Sequence, residues 1–227
     1  MQPHDFWQEI FPAGQFPTGG GHDGFYPAAL PDGRQILLPI RPLGDGEHAL
    51  ASLIVNQASF AVLDALVETL VEKLRPFQAD VIAGLPTLGL TLASAVARRL
   101  GHGRYVPLGT SRKFWYDEAL SVPLSSITTP GQAKRLYVDP RMLPLLQGRR
   151  VVLIDDVISS GRSIRAGLSL LDGIGVRPVA TAAAMLQSER WRDDPETPYR
   201  GWTDTVLGCF ATPILNKGAD GRWYRPA

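Results

Sequence analysis

The chain contains 227 residues, of which 44% are hydrophobic and 20% are charged. This length suffices for one α/β domain with a modest appendage, so two full domains are not expected. The formal net charge of +1 creates no long-range attraction for nucleic acid. No dense Lys/Arg stretch is interleaved with stacking aromatic residues either, which argues against a nucleic-acid partner.

Cysteine and histidine usage excludes several kinds of site. Cys209 is the only cysteine, so disulfides within the chain and thiolate metal clusters are excluded. The four histidines are scattered without metal-ligand spacing. No apolar run is long enough to cross a bilayer and no N-terminal targeting signal is visible, so we expect a cytoplasmic protein without a membrane partner.

The N-terminal region, to about residue 46, is rich in glycine, proline and aromatic residues and predicts mostly loop. Within it, Tyr26 to Leu30 and Gln35 to Ile40 predict a small hairpin. The turn Pro31-Asp32-Gly33 supplies a preset φ followed by a residue that tolerates positive φ. We expect this hairpin to lie outside the main sheet.

A helix is predicted from Ser59 to Leu74, because apolar residues recur there at spacings of three and four. We expect its apolar positions to be core, namely Phe60, Leu63, Leu66, Val67, Leu70 and Leu74. A short buried strand follows at Asp80 to Leu85, and a helix at Leu90 to Leu100. The tight loop between them consists of Pro86, Thr87, Leu88 and Gly89. In an open parallel sheet such a loop lines the crevice at the carboxyl ends of the strands.

After a third predicted strand at Arg104 to Leu108, residues 109–132 show no sustained periodicity. A long aperiodic insertion in a compact domain usually has a function. It carries Arg112 and Lys113 beside Phe114 to Tyr116. Two interpretations remain open: a lid that closes over a polyphosphate, or a solvated loop whose aromatic patch docks on a partner chain. Lys134 to Val138 is predicted to be the strand that returns from it.

The most informative segment begins with Val151 to Ile154, a mostly β-branched run typical of a strand buried on both faces. Asp155 and Asp156 follow directly. The next small residues and the start of a helix are Ser159, Ser160, Gly161, Arg162 and Ser163. Glycine lets a ligand approach the backbone, and free N–H groups at a helix start attract a phosphate. The carboxylates repel that phosphate and therefore require hydroxyls or a cation, such as Mg²⁺, as partners.

This arrangement of strand, two acids and a Ser/Gly loop resembles the ribose-phosphate-binding motif of the type I phosphoribosyltransferases. The alternative is a buried strand with an acidic end, as in receiver domains, but these lack the glycine and serines. The resemblance implies that Asp155 and Asp156 take the ribose hydroxyls of phosphoribosyl pyrophosphate and meet Mg²⁺ through water. It implies that residues 159–163 hold the 5′-phosphate and that the Pro86 to Gly89 loop holds pyrophosphate. Arg112 and Lys113 would steady the pyrophosphate, and a homodimer is expected.

The strand starts at Asp80, Arg104, Lys134, Val151 and Val176 predict an α/β fold with a mainly parallel open sheet flanked by helices. We expect a single domain over residues 1–227, with a core of about residues 50–189. Residues 1–49 and 190–227 are assigned to a small hood. In this C-terminal part, Val206 to Phe210 and Arg222 to Tyr224 are weak strand candidates.

The expected reaction is transfer of a 5-phosphoribosyl group to a nucleobase nitrogen, with release of pyrophosphate. Hypoxanthine-guanine enzymes of this family carry an acid where this chain has Ser159, so either the acceptor arrives as an anion or another group takes its proton. A small residue at this position and an Arg-Lys loop resemble the adenine, xanthine and orotate branches. Among these, the order of strand, Arg-Lys loop and returning strand most resembles the adenine branch, which favours a purine with adenine first. Leu88 departs from the arginine of that branch. A non-catalytic regulator that binds the same donor remains an alternative, whereas a hydrolase would need a base that the sequence does not show.

Overall fold

The computed structural model describes residues 1–124, 134–192 and 199–226. The strands in these ranges are β1 (Phe25–Ala29), β2 (Gln35–Pro42), β3 (His48–Ala51), β4 (Val81–Gly84), β5 (Val106–Pro107), β6 (Ser121–Leu124), β7 (Lys134–Tyr137), β8 (Val151–Ile158), β9 (Ala180–Gln187), β10 (Val206–Thr212), β11 (Ile214–Lys217) and β12 (Trp223–Tyr224). The α-helices are α1 (Phe60–Leu74), α2 (Gly89–Arg99), α3 (Leu143–Leu146) and α4 (Arg162–Gly173).

The main sheet of the described residues is parallel, with five strands in the order β10-β9-β8-β4-β5. Strand β8 lies at its centre and contributes to both faces, because successive side chains of a strand point in opposite directions. Val152 and Ile154 pack with α1 and α2, whereas Val151 and Leu153 pack with α4. The predicted α/β class and the predicted doubly buried strand are therefore confirmed.

The predicted helices form at the expected places. Ser59 is the N-cap of α1, and its hydroxyl accepts a hydrogen bond from the Val62 amide at 3.2 Å. One prediction about α1 is wrong: Phe60 is 83% exposed and does not join the core. Phe60 is the first residue of α1, and at this position its side chain lies in solvent and not against the sheet.

The N-terminal hairpin is confirmed, with Ala29 opposite Gln35 and Gly33 at φ +85° in the turn. It belongs to a second sheet of the described residues, with the antiparallel pairs β1-β2, β2-β3, β3-β11 and β11-β12. This sheet is called the hood below. The strands β3 and β11, each four residues long, were not predicted from the sequence.

Two strands lie elsewhere than expected. Strand β7 was counted in the main sheet but pairs antiparallel with β6, opposite Ser121–Leu124, inside the segment predicted to be aperiodic. Strand β10 was assigned to the hood but extends the parallel sheet beside β9, with Phe210 opposite Met185. Apolar strand patterns do not specify a partner, and partner choice is what was wrong in both cases. No helix in the described part of the chain is long and apolar enough to span a membrane.

Candidate active site

The parallel pairing of β4 with β8 brings the two predicted ligand loops together. Gly84 lies opposite Ile154 in this pair, and the Leu85 amide donates to the Ile154 carbonyl at 2.9 Å. Both strands therefore end at the same carboxyl edge, where open α/β sheets bind ligands. The loop after β4 and the acids of β8 share one crevice.

Gly89 is the point of contact between them. A Cβ atom at this position would lie 2.8 Å from the Asp155 Cα and 3.0 Å from its Oδ1. Only a residue without a side chain allows this approach. The peptide bond between Pro86 and Thr87, in the same loop, is cis. The sequence-predicted loop of Pro86, Thr87, Leu88 and Gly89 is thus brought against the acid pair.

The two acids lie within β8, which continues to Ile158 beyond the predicted strand run of Val151 to Ile154. Asp155 is buried, with 6% of its surface exposed, and its Oδ1 accepts a hydrogen bond from the Asp156 amide at 2.9 Å. Burial, followed by the neighbouring charge of Asp156, raises the pKa of Asp155 well above its usual value. Burial also raises the pKa of Asp156. The pair is destabilised when ionised and would be stabilised by a cation or hydroxyl donors.

A small pocket of about 80 Å³ follows the acids, lined by Asp155 and residues 157–164. Gly161 precedes α4 in the left-handed region, at φ +79°. The free amides of the first turn of α4 face such a loop, which favours an anion. Arg165 donates to the Ser160 carbonyl at 2.8 Å and fixes the loop from behind. Ser159, Ser160, Gly161, Arg162 and Ser163 are therefore all brought to one pocket.

Arg190 is a candidate site residue that the sequence analysis did not identify. Its guanidinium Nη2 donates to the Ser159 Oγ at 3.3 Å. Ser188, at the end of β9, has φ +62°, and its Oγ accepts from the Arg190 Nε at 3.3 Å. Its position in the sequence could have identified it, because Arg190 follows a strand that ends at the same carboxyl edge of the parallel sheet as β4 and β8.

The structure does not place Arg112 and Lys113 against the acids. Arg112 forms an exposed ion pair with Glu118 at 3.3 Å, and Lys113 is exposed. No contact of either side chain with Asp155 or Asp156 occurs among the described residues. Part of the predicted lid, residues 125–132, lies outside the described ranges.

Residues 51–216 match the family model described as "Phosphoribosyl transferase domain". The chain is 34% identical over 151 residues to an orotate phosphoribosyltransferase of Halorhodospira halophila, covering 66% of this chain and 60% of that protein. It is 33% identical to the bifunctional protein PyrR of Streptomyces coelicolor, over 59% of this chain and 66% of that protein. An adenine phosphoribosyltransferase of Corynebacterium kroppenstedtii is 30% identical, over 62% and 71% of the two chains. The chain thus spans less than two thirds of the first two relatives.

Solved structures share the fold. The adenine phosphoribosyltransferase of Thermoanaerobacter pseudethanolicus gives a TM-score of 0.59 at 19% identity, covering 77% of this chain and 95% of that one. The enzyme of Giardia lamblia complexed with 9-deazaadenine gives 0.58 at 17% identity, covering 77% and 93%. Together with the family match over most of its length, these findings show that the chain belongs to the phosphoribosyl transferase domain family.

Proposed function

We propose that the chain transfers a 5-phosphoribosyl group from phosphoribosyl pyrophosphate to a nucleobase nitrogen and releases pyrophosphate. One observation carries the proposal: the Gly89 loop contacts Asp155, and Asp155 also lines the serine and glycine pocket. A donor with a 5′-phosphate, a ribose and a pyrophosphate needs these three elements side by side. The 5′-phosphate enters the pocket of residues 157–164, the ribose hydroxyls meet Asp155 and Asp156, and the pyrophosphate lies on the loop of residues 86–89.

The proposed role of the protein is mainly to position its substrates. Binding the 5′-phosphate and the ribose fixes C1′, so that acceptor and leaving group lie in line and the reaction becomes effectively unimolecular. Loop amides and nearby cations stabilise charge that develops on the pyrophosphate. Arg112 and Lys113 are proposed to supply such cations when the loop closes. Arg112 can leave Glu118 at little cost, because exposed ion pairs contribute only about 0.2–1 kcal/mol.

Mg²⁺ fits the residues that are present. The carboxyl groups of Asp155 and Asp156 have raised pKa values because they are buried, so a nearby cation would stabilise their ionised forms. The described residues contain no cluster of three or more His, Cys, Asp or Glu that could hold a metal. In proteins, Mg²⁺ is usually held by one or two carboxylates together with waters and substrate phosphates. Asp155 and Asp156 would hold it through water, and when bound it would neutralise charge on the leaving pyrophosphate.

The acceptor base stays a prediction. The order of elements in the sequence favours a purine, with adenine first. The adenine enzymes matched by structure share 17–19% identity, which supports the common fold alone. The relatives by sequence include both orotate and adenine phosphoribosyltransferases. A homodimer is also proposed, because the large apolar side chains of Phe60 and Phe114 are 83% and 96% exposed. Light scattering, which gives the mass of the protein in solution, tests it.

A panel of bases tests the proposed function. Adenine, xanthine, hypoxanthine, guanine, orotate and uracil are each incubated with donor and Mg²⁺, and pyrophosphate release is measured. Release that depends on both donor and base supports the transferase. A second candidate, a sensor that binds the donor without chemistry, is favoured by the uncharged Leu88 in the pyrophosphate loop. Donor binding by calorimetry, with no release for any base, would select the sensor.

A further inference from the structure

A second and larger pocket lies where the parallel sheet meets the hood. It has a volume of about 480 Å³ and is lined by Ser188, Glu189, Arg190, Ala211, Thr212, Pro213, Ile214, Arg225 and Pro226. Its walls come from the carboxyl ends of β9 and β10, the start of β11 and the chain after β12. This volume is within the range of pockets that enclose small ligands, about 300–1,000 Å³. The pocket can therefore hold one heterocyclic ring.

Arg190 places this pocket next to the phosphate loop. The same guanidinium that lines the pocket donates to the Ser159 Oγ at 3.3 Å. The Ser188 amide donates to the Thr212 carbonyl at 2.7 Å, which joins the ends of β9 and β10 beneath the pocket. A ring bound here therefore lies beside the loop of residues 159–163, at the carboxyl ends of β9 and β10.

The lining of the pocket carries a net positive charge, with Arg190 and Arg225 against the single carboxylate of Glu189. The Nε and Nη2 of Arg190 donate to the hydroxyl oxygens of Ser188 and Ser159. The carboxylate of Glu189 in the lining is paired with Arg192, outside the pocket. Within residues 1–124, 134–192 and 199–226, no carboxylate forms an ion pair with Arg190 or Arg225.

The positive charge of Arg225 also acts on its neighbours in the hood. After burial, that charge is the second cause that lowers the pKa of His22. The same charge opposes the rise that burial causes in the pKa of Tyr26. Arg225 thus lies close enough to His22 and Tyr26 for its charge to be felt by both, in addition to lining the pocket.

The donor-only chemistry of guanidinium selects among bases. Arginine has five N–H donors and no acceptor, so it pairs with carbonyl oxygens, ring nitrogen lone pairs or a carboxylate and not with an exocyclic amine, and its charge favours an anionic ring. Pro213, Ile214 and Pro226 add apolar surface for the faces of a ring. The serine at position 159 is a poor proton acceptor without a partnered base. Cations that stabilise an anionic ring remove that need, because they favour loss of its proton before the transfer.

Building on the proposed transferase function, we infer that the acceptor is an acidic, carbonyl-bearing heterocycle, bound as an anion between Arg190 and Arg225. Its ring N–H proton passes to bulk water. The nitrogen lone pair then forms the bond to C1′ while the C1′–O bond breaks, and pyrophosphate leaves with the electron pair of that bond. Orotate and xanthine have this chemistry, whereas adenine, the first expectation from the sequence, does not.

The test compares two acidic bases with two neutral ones in the wild-type protein and in charge variants. With donor and Mg²⁺ saturating, we expect kcat/KM for orotate or xanthine to exceed that for adenine and uracil by at least tenfold. Arg225→Gln should lower the favoured kcat/KM at least tenfold, and Arg225→Lys should retain most of it. Donor affinity should change less than twofold in both. Arg75→Gln is the matched control, because Arg75 is exposed before the amino end of β4, away from the pocket.

The outcomes separate this inference from the proposed function. Preference for adenine or uracil in the wild-type protein overturns the acidic acceptor and leaves the transferase standing. Unchanged base preference in Arg225→Gln, with an unchanged thermal midpoint, also overturns the pocket assignment. Pyrophosphate release with none of the bases contradicts the transferase itself and the acceptor class with it. The wild-type comparison decides even where a variant fails to fold.

Discussion

Gly89 and Asp155, which are 66 positions apart in the sequence, are in direct contact. A Cβ on Gly89 would lie 2.8 Å from the Asp155 Cα and 3.1 Å from the Ile154 carbonyl oxygen. Both of these are backbone atoms, which cannot move aside as the end of a flexible side chain can. The missing side chain at position 89 therefore lets the loop of residues 86–89 and the acid pair line one crevice.

Gly89→Ala should separate the loop from the acids. We expect a loss of unfolding free energy of about 1–3 kcal/mol, the usual cost of overpacking, and a fall in kcat/KM for the donor of at least tenfold. Urea denaturation and pyrophosphate release measure the two effects. Gly173→Ala is the control, since Gly173 is also helical and its Cβ would meet nothing within 4 Å. Equal behaviour of the two variants would show that the contact is dispensable.

The double substitution Asp155→Asn and Asp156→Asn should abolish turnover and leave the fold intact. These acids are destabilised when charged, so the neutral amides should unfold at the same temperature as wild type or higher. Donor affinity measured in Mg²⁺ should fall at least tenfold, which corresponds to about 1.4 kcal/mol. Calorimetry with donor and a thermal melt provide both readings. Wild-type affinity in this variant would contradict the assignment of the ribose site.

The same acids predict a sign for the pH dependence of stability. Because burial raises the pKa of Asp155, the folded protein keeps a proton that the unfolded chain releases near its ordinary pKa of about 3.9. The unfolding free energy contributed by this group is thus highest below that pH and is lost as pH rises towards the raised folded value. Urea denaturation across this window should show that the unfolding free energy declines less with rising pH in the Asp155→Asn variant than in the wild-type protein. If unfolding free energy fell equally with pH in both proteins, the result would contradict a buried site that disfavours the charged form of Asp155.

Asp80 and Asp139 should act in the opposite direction at lower pH. Hydrogen bonds from Arg150 and Arg141 hold the pKa of each carboxyl at about 2. Their contribution is present above the ordinary pKa and is lost as pH falls towards 2. Asp80→Asn should therefore reduce the loss of unfolding free energy on acidification below the ordinary pKa. The decline at higher pH that is assigned to Asp155 should be unchanged. Denaturation of the variant and wild type between pH 2 and about 5 checks this expectation.

Arg112→Ala and Lys113→Ala should reduce kcat more than donor affinity, because we expect these cations to act after the loop closes on pyrophosphate. A reduction of about tenfold is the expected scale for losing one charged contact, about 1.4 kcal/mol. Arg177→Ala is the control, since Arg177 also forms an exposed ion pair, with Asp172 at 3.0 Å. Steady-state kinetics with saturating base give the result. Unchanged kinetics in both variants would leave the lid without its proposed cations.

The sequence by itself determined the local elements and indicated a candidate anion site beside two acids. Apolar periodicity identified α1, α2 and the doubly buried strand that became β8, because the spacing of apolar residues reports which faces are buried. The residue types from Asp155 to Ser163 indicated an anion pocket beside two acids. These inferences depend on residues that are neighbours in the sequence, so the structure has the same elements at the expected places.

Partner choice between distant segments was decided only by the tertiary structure. The pattern of Val206 to Phe210 indicates a strand, but nothing in it shows that β10 extends the parallel sheet beside β9. The same is true of β7, which pairs with β6. Arg190 became a candidate site residue only because β9 ends beside the loop of residues 159–163 and Ser188 turns the chain there. Strand pairing is non-local and depends on the packing of whole faces, so no single segment encodes it.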